Sequence, residues 1–254
     1  MVEAVQDAAV VVTGAGGGIG AALARRFAAE GARVVVNDLD AGRAEAVAAE
    51  IGGIAVPGDA STIVDAAREA LGGVVDVYCA NAGVASGGAE SADEAVWALA
   101  WDVNVMAHVR AAHALLPHWL ERGRGRFVST VSAAGLLTMI GAAPYSVTKH
   151  GAYAFAEWLS LTYRHRGIQV HAICPQGVRT DMLAATGSAG DLVLKPTAID
   201  PRDVADALFD GIAEDRFLIL PHPEVAGYYR TRAAEPDRWL TNMNHLQQKW
   251  ETAE

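Results

Sequence analysis

The amino-acid sequence predicts an α/β fold: a doubly wound, seven-stranded parallel sheet with helices on both faces, one domain over residues 1–254. Three observations predict it. Short β-branched apolar runs alternate with alanine-rich helical stretches. Each apolar run is almost unbroken, as in strands covered on both faces. No repeat, low-complexity segment or linker divides the 254 residues, which suffice for one large core.

The valine run at 8–14, "AAVVVTG", is the first expected strand, and 19–31 a helix closed by Gly31. A strand at 32–38 and a helix at 41–53 repeat the unit, with glycine again the stop. A short strand at 53–59, a helix at 62–73 and a strand at 74–83 follow. A long helical stretch covers about 93–122 and ends at Gly123, before a strand at 125–132. Next come a helix at 145–166, a strand at 168–175, a helix at 201–215 and a strand at 216–221. The tail 222–254 breaks the alternation and sets Tyr228, Tyr229, Trp239 and Trp250 among charged residues. It is expected to cover a pocket, to meet another subunit, or simply to pack on the surface.

Composition narrows the function. Hydrophobic residues make up 52% and charged residues 20%, and the formal net charge is −10. Without a basic run, nucleic acid and anionic membranes are excluded as main partners. The run 8–24 contains five glycines and a threonine, so it breaks into strand, loop and helix rather than spanning a membrane. Glu3 and Asp7 stand where a secretory leader would be basic. Cys79 and Cys174 lie in apolar runs, as buried reduced thiols do. Both features favour a cytoplasmic protein. Only Lys149, Lys195 and Lys249 are lysines, so a lysine in a motif stands out.

"TGAGGGIG" (13–20) follows the first strand and opens the first helix. In that context the loop suits a pyrophosphate. Gly14, Gly16, Gly18 and Gly20 permit a tight turn and close backbone approach, and the helix N-terminus offers free N–H groups. The fold is then Rossmann-type. Asp38 ends the second strand, where its carboxylate can accept from both adenosine ribose hydroxyls and would repel a 2′-phosphate. No cation lies in 13–20 or at position 37, so NAD is favoured over NADP, with Arg43 the one nearby charge that could soften the preference. Asp40 is the better helix cap. Asp59 could accept from an adenine amino group, or serve a turn. Asn81 and Gly83 of "NAG" would bring backbone close to a ligand at the sheet's carboxyl edge.

"YSVTK" (145–149) puts Tyr145 and Lys149 on one helix face. With "TGAGGGIG", Asp38, Asp59, "NAG", "VNV" (103–105), "VSTVSAAG" (128–135) and "PQGVRT" (175–180), it resembles the short-chain dehydrogenase/reductase family over about residues 8–221. The resemblance implies that Tyr145 is the catalytic acid/base, and that Lys149 lowers its pKa and binds the nicotinamide ribose. Ser132 would hold the substrate oxygen, and Asn104 would position a water linking Lys149 to solvent. Thr180 and the backbone of Val178 would hold the carboxamide. Ile19, Leu39, Ala60, Ala82, Pro175 and Gly177 complete the implied cofactor contacts. Gln176 stands where the family usually has glycine, and Ala80 where it often has asparagine.

The electrostatics are of the right size. To act as a base near neutrality, a phenol must lose about 3–4 kcal/mol of its preference for the proton. One ammonium about 4 Å away supplies ~4 kcal/mol at an effective dielectric near 20. Ser132 lacks a Gly-x-Ser-x-Gly elbow, which argues against a nucleophile. His108, His113 and His118, five apart, do not share one helix face, which argues against a metal site.

The expected activity is NAD(H)-dependent interconversion of a secondary alcohol and a ketone. The alternatives are a catalytically silent NAD-sensing or scaffold protein, and a sugar-nucleotide epimerase or dehydratase. The last usually needs a larger substrate domain. Substrate choice is assigned to 84–97, 134–143, 176–199 and the tail. The expected pocket lining is Leu136, Met139, Ile140, Met182 and Leu183, with Gln176, Ser132 and Trp97 beside it. Such a lining suits an aryl, alicyclic or steroid-like substrate. The resemblance also implies a homotetramer built through the helices 93–122 and 145–166.

Overall fold

The computed structural model describes residues 5–186 and 194–252. The strands are β1 (Ala9–Val12), β2 (Arg33–Val36), β3 (Ile54–Ala55), β4 (Val77–Ala80), β5 (Gly125–Thr130), β6 (Ile168–Ile173) and β7 (Leu218–Ile219). Among the described residues they form one sheet, ordered β3-β2-β1-β4-β5-β6-β7, with every pair parallel. The order reverses between β1 and β4, which opens a crevice at their carboxyl ends. The edge strands β3 and β7 keep two ladder residues each, far fewer than their apolar runs suggest. Each has a single neighbour, so the rest of each run becomes loop.

Alternation along the strands builds two cores. Val10 and Val12 face Leu23, Phe27 and Phe209 on one side. Ala9 and Val11 face Leu115, Trp119 and Leu159 on the other. The first cluster involves helices α1 (Gly18–Ala29), α2 (Ala41–Ile51) and α9 (Pro201–Ala213). The second involves α3 (Val64–Ala70), α5 (Ala107–Arg122) and α7 (Ala143–Tyr163). Asp40 caps α2, its Oδ1 accepting from Arg43 N at 3.1 Å, and Gly52 ends that helix at φ +66°.

The helical stretch before β5 is not uniform. Helix α4 (Glu94–Trp101) passes into α5 through one wide π turn, Asp102–Met106. Gly123, at φ +65°, terminates α5 as expected.

Short helices α6 (Ala134–Leu137) and α8 (Asp181–Ala184) lie on the carboxyl side of β5 and β6. The tail forms α10 (Glu224–Ala234) and α11 (Pro236–Glu251). It packs on its own chain: Arg232 Nη1 donates to Leu136 O at 2.6 Å, and Val225 is buried. The Trp250 ring lies so close to Gly141 that a Cβ there would meet it at 3.1 Å. Among the described residues no helix is long and apolar enough to cross a membrane.

Candidate active site

The loop after β1 is fixed by sterics. Gly14 sits at φ +59°, and a Cβ on it would lie 2.9 Å from Ala82 Cα. A Cβ on Gly20 would lie 2.2 Å from Gly14 O, and one on Gly18 (φ +52°) 3.0 Å from Thr180 Cγ2. These approaches show that 13–20, 81–83 and 175–180 converge. Helix α1 begins at Gly18 with no side chain capping it, so its N–H groups stay open to an anion. Ile19 lies in its first turn.

Thr13 ties the loops together, a role its place in the glycine motif concealed. Its hydroxyl accepts from Asn81 N (2.9 Å) and Ala82 N (3.0 Å) and donates to Cys79 O (3.2 Å). The Asn81 amide donates to Thr13 O and Gly14 O, so that side chain serves the loop itself. Asn37 is likewise structural, donating to Val56 O and Gly58 O.

Asp38 stands against the glycine loop. Its Oδ2 accepts from Gly16 N at 2.9 Å, and any Cβ on Gly16 would meet that oxygen at 2.8 Å. Leu39 beside it is 80% exposed. The Arg43 side chain lies along the glycine loop, its Nη1 3.9 Å from where a Cβ on Gly17 would stand, and meets Asp181 at 3.3 Å. Asp59 serves its turn, with Oδ1 accepting from Ser61 N at 2.8 Å, and Ala60 O accepts from the Tyr78 hydroxyl.

The proposed chemical groups meet at the carboxyl ends of β4 and β5. Lys149 is buried; its Nζ donates to Thr130 O at 3.0 Å and lies 5.6 Å from the centroid of the Tyr145 ring. A Cβ on Gly83 would touch both Asn104 Oδ1 (3.1 Å) and Lys149 Nζ (3.5 Å), which places all three together. Tyr145 and Ser132 are joined by a hydrogen bond. Ser132 Oγ also accepts from Ala134 N at 3.1 Å, at the start of α6. His150 turns away and bonds Ser146 O.

Two details differ from the expectations. The Asn104 side chain is occupied: Oδ1 accepts from Val84 N (2.9 Å), while Nδ2 donates to Val84 O (3.0 Å) and Thr148 Oγ1 (3.1 Å). It pins the 81–84 loop to α7. Second, Tyr145 lies above its ordinary pKa, not below it. Burial pushes the phenol up, and the bond with Ser132 opposes this without overcoming it. Burial also pushes the Lys149 ammonium down to about 8. The surroundings of the pair therefore disfavour charge on both groups.

The expected pocket lining separates. Met139 and Ile140 are half-buried in the loop before α7. Leu136 is 1% exposed and belongs to the core around Leu115 and Leu159, because α6 turns it inward. Leu183 is buried and faces a groove beside Gly18, Ala22 and Ala205, between α1 and α9. Met182 next to it is exposed, and Trp97 is half-buried on α4. Part of the expected 176–199 lining, residues 187–193, lies outside the described residues.

The turn 175–178 is held from two sides. Ala133 N donates to Pro175 O at 2.7 Å, from the Ser132 segment. His222, after β7, accepts from Gln176 N with Nδ1 and meets Gly177 O with Nε2, both at 3.1 Å. Gly177 has no room for a side chain, since a Cβ would lie 2.2 Å from Leu194 O. Thr180 Oγ1 donates to Val178 O and accepts from Leu183 N, capping α8. His222 was not singled out in the sequence; its signal is a histidine just past a strand's carboxyl end.

Comparisons with known proteins agree with this geometry. The family model for short chain dehydrogenase matches residues 8–190. A 1-deoxy-11-beta-hydroxypentalenate dehydrogenase of Streptomyces exfoliatus is 32% identical, covering 92% of this chain and 89% of the relative. A short chain dehydrogenase/reductase from Burkholderia phymatum, solved in complex with NAD, superposes with a TM-score of 0.83 at 28% identity. That match covers 91% of this chain and 95% of the other. A Sphingobium yanoikuyae short-chain dehydrogenase in complex with NADPH gives 0.78 at 26% identity, covering 91% and 94%. With its parallel sheet, glycine loop and Ser132–Tyr145–Lys149 cluster, the chain belongs to the short-chain dehydrogenase family.

Proposed function

We propose that this alcohol/ketone oxidoreductase uses NAD(H) and a hydrophobic secondary alcohol or ketone, with Tyr145 as its acid/base. The observation that carries this is the meeting of Tyr145, Ser132 and Lys149 beside a glycine loop in which Gly14, Gly16 and Gly20 leave no room for a side chain. The residues fit a dinucleotide: open N–H groups at α1, and a carboxylate at Asp38 bonded to the loop. A bound nicotinamide ring exchanges the hydride and, when oxidised, brings a positive charge to the cleft.

The protein's part is the proton. In alcohol oxidation Tyr145 takes the hydroxyl proton, and in ketone reduction it returns it. Ser132 donates to the substrate oxygen as charge develops there. Lys149 holds a charge within reach of the phenol. Its Nζ is 5.6 Å from the centroid of the phenol ring, and a unit charge at about that range is worth about 3 kcal/mol at an effective dielectric near 20. Burial raises the phenol's pKa and the Ser132 hydroxyl opposes it; positive charge brought into the cleft would lower it.

Asp38 favours NAD, because a 2′-phosphate would meet its carboxylate; Arg43, beside the same loop, is the nearby cation that opposes this. Half-buried Met139 and Ile140 suit an uncharged alicyclic or aryl substrate. The homotetramer rests on exposed Trp101, Val147, Trp158 and Leu161 along α4 and α7, and light scattering tests it.

The decisive experiment is a dehydrogenase assay with NAD and NADP over a panel of secondary alcohols, beside Tyr145→Phe. The variant should lose at least about 100-fold in kcat and keep NADH binding by fluorescence. Full activity in Tyr145→Phe would overturn the mechanism, and better turnover with NADP would overturn the cofactor choice. Nucleotide binding with no turnover on any alcohol would favour a sensor.

A further inference from the structure

From the contacts of His222 we infer that this residue is a positioning residue for the nicotinamide end of the cofactor. It belongs to neither the glycine loop nor the Ser132–Tyr145–Lys149 cluster. It follows β7, more than forty residues beyond the turn it holds.

Its two bonds fix its chemistry. A peptide N–H only donates, so Nδ1, which receives Gln176 N at 3.1 Å, carries a lone pair. A carbonyl only accepts, so Nε2, at 3.1 Å from Gly177 O, carries the hydrogen. The neutral Nε2–H form satisfies both peptide groups at once. The ring is 2% exposed, so water does not substitute at these positions.

The clamp acts on the same turn that the Ser132 segment holds. Pro175 O is held by Ala133 N, next to Ser132. Gly177 O is shared between His222 and Ile199 N (3.1 Å). Directly beyond the clamp, Val178 begins the segment whose Thr180 methyl reaches the Gly18 position. His222 thus spans the step between the serine segment and the segment facing the glycine loop. It also accounts for tolerance of Gln176 in place of the usual glycine. The turn is fixed through the backbone N–H of residue 176, which every residue but proline supplies.

This inference rests on the nicotinamide reading of the site, and the experiment separates the two. Binding of NADH and of ADP-ribose, which lacks the nicotinamide, is measured by calorimetry on wild type, His222→Phe and His222→Asn. Thermal melts of each are recorded alongside. Loss of two hydrogen bonds should weaken NADH binding about tenfold in His222→Phe and raise the KM for the dinucleotide similarly. ADP-ribose affinity should stay within about twofold of wild type. Asn restores an acceptor for Gln176 N and should fall between the two.

Wild-type NADH affinity in a folded His222→Phe or His222→Asn would overturn the inference. Equal loss of NADH and ADP-ribose binding would also overturn it, by showing general loosening. If His222→Phe does not fold, His222→Asn decides by the same two ligands. A wild-type protein that binds ADP-ribose but gains nothing from the nicotinamide would refute the clamp while leaving a nucleotide site. One that binds neither would instead remove the cofactor reading itself.

Discussion

The two sides of the crevice are built differently. On the nucleotide side, Gly14, Gly16, Gly18 and Gly20 meet backbone or short side chains at 3.0 Å or less from where a Cβ would stand. On the side assigned to the substrate, Met139 and Ile140 are half-buried and Met182 is exposed. A site for a constant ligand can be fixed through the main chain. A site for a variable ligand is left to side chains, which change without disturbing the sheet. The contrast explains why one side specifies its ligand through sterics and the other specifies only a polarity.

Four substitutions can break or sharpen that contrast. Leu136→Ala separates core from pocket most forcefully. Leu136 is fully buried among Leu115 and Leu159, so the change should cost about 2–5 kcal/mol of stability in chemical denaturation. The substrate KM should hardly move; a large KM change with intact stability would return Leu136 to the pocket.

Lys149→Met should abolish turnover yet stabilise the fold at pH 7 by about 1–3 kcal/mol. The folded ammonium pKa is about 8 against an ordinary 10.5. The unfolded chain thus holds the proton more tightly, and burying the charge is a penalty present in full below pH 8. That penalty fades as pH rises from about 8 to 10.5. The gap between variant and wild-type melting temperatures should narrow over that window, and a gap that widens would reverse the sign.

Asp38→Ser should move the NADP-to-NAD ratio of kcat/KM by about tenfold or more, because a like charge facing a phosphate costs several kcal/mol. An unchanged ratio would mean that Arg43 or another group sets the preference. Smallest is Met182→Ala. It removes an exposed side chain, 41% accessible, and should alter substrate KM only a few-fold, with melting temperature unchanged.

The same contrast governs what was legible in the sequence. Asp40 as the α2 cap, Gly123 as the α5 stop and the strand alternation all depend on neighbours in the chain, and each is found in place. The meeting of Gly83, Asn104 and Lys149 was legible because the motifs lie at strand ends of one sheet. Thr13 and His222 were not legible, since their importance depends on partners 66 to 69 and 45 to 46 residues away. Leu136 was misassigned because an apolar residue near a pocket has two directions to point, and short α6 turns it into the core. The pKa of Tyr145 was misjudged because a pairwise charge was weighed without the burial that opposes it.

The π turn at Asp102–Met106 is in effect a phase slip. Buried positions on α5, such as His108, Ala111 and Leu115, repeat at helical spacing. Extended backward at about 100° per residue, that pattern would bury position 101. The wide turn takes up one extra residue, so Ala100 is buried and Trp101 is left 45% exposed. Deleting a single residue there would restore a regular helix. Because the deletion removes the residue that the wide turn absorbs, Ala100 would stay buried and Trp101 outward, whereas straightening the turn without a deletion would draw the indole inward.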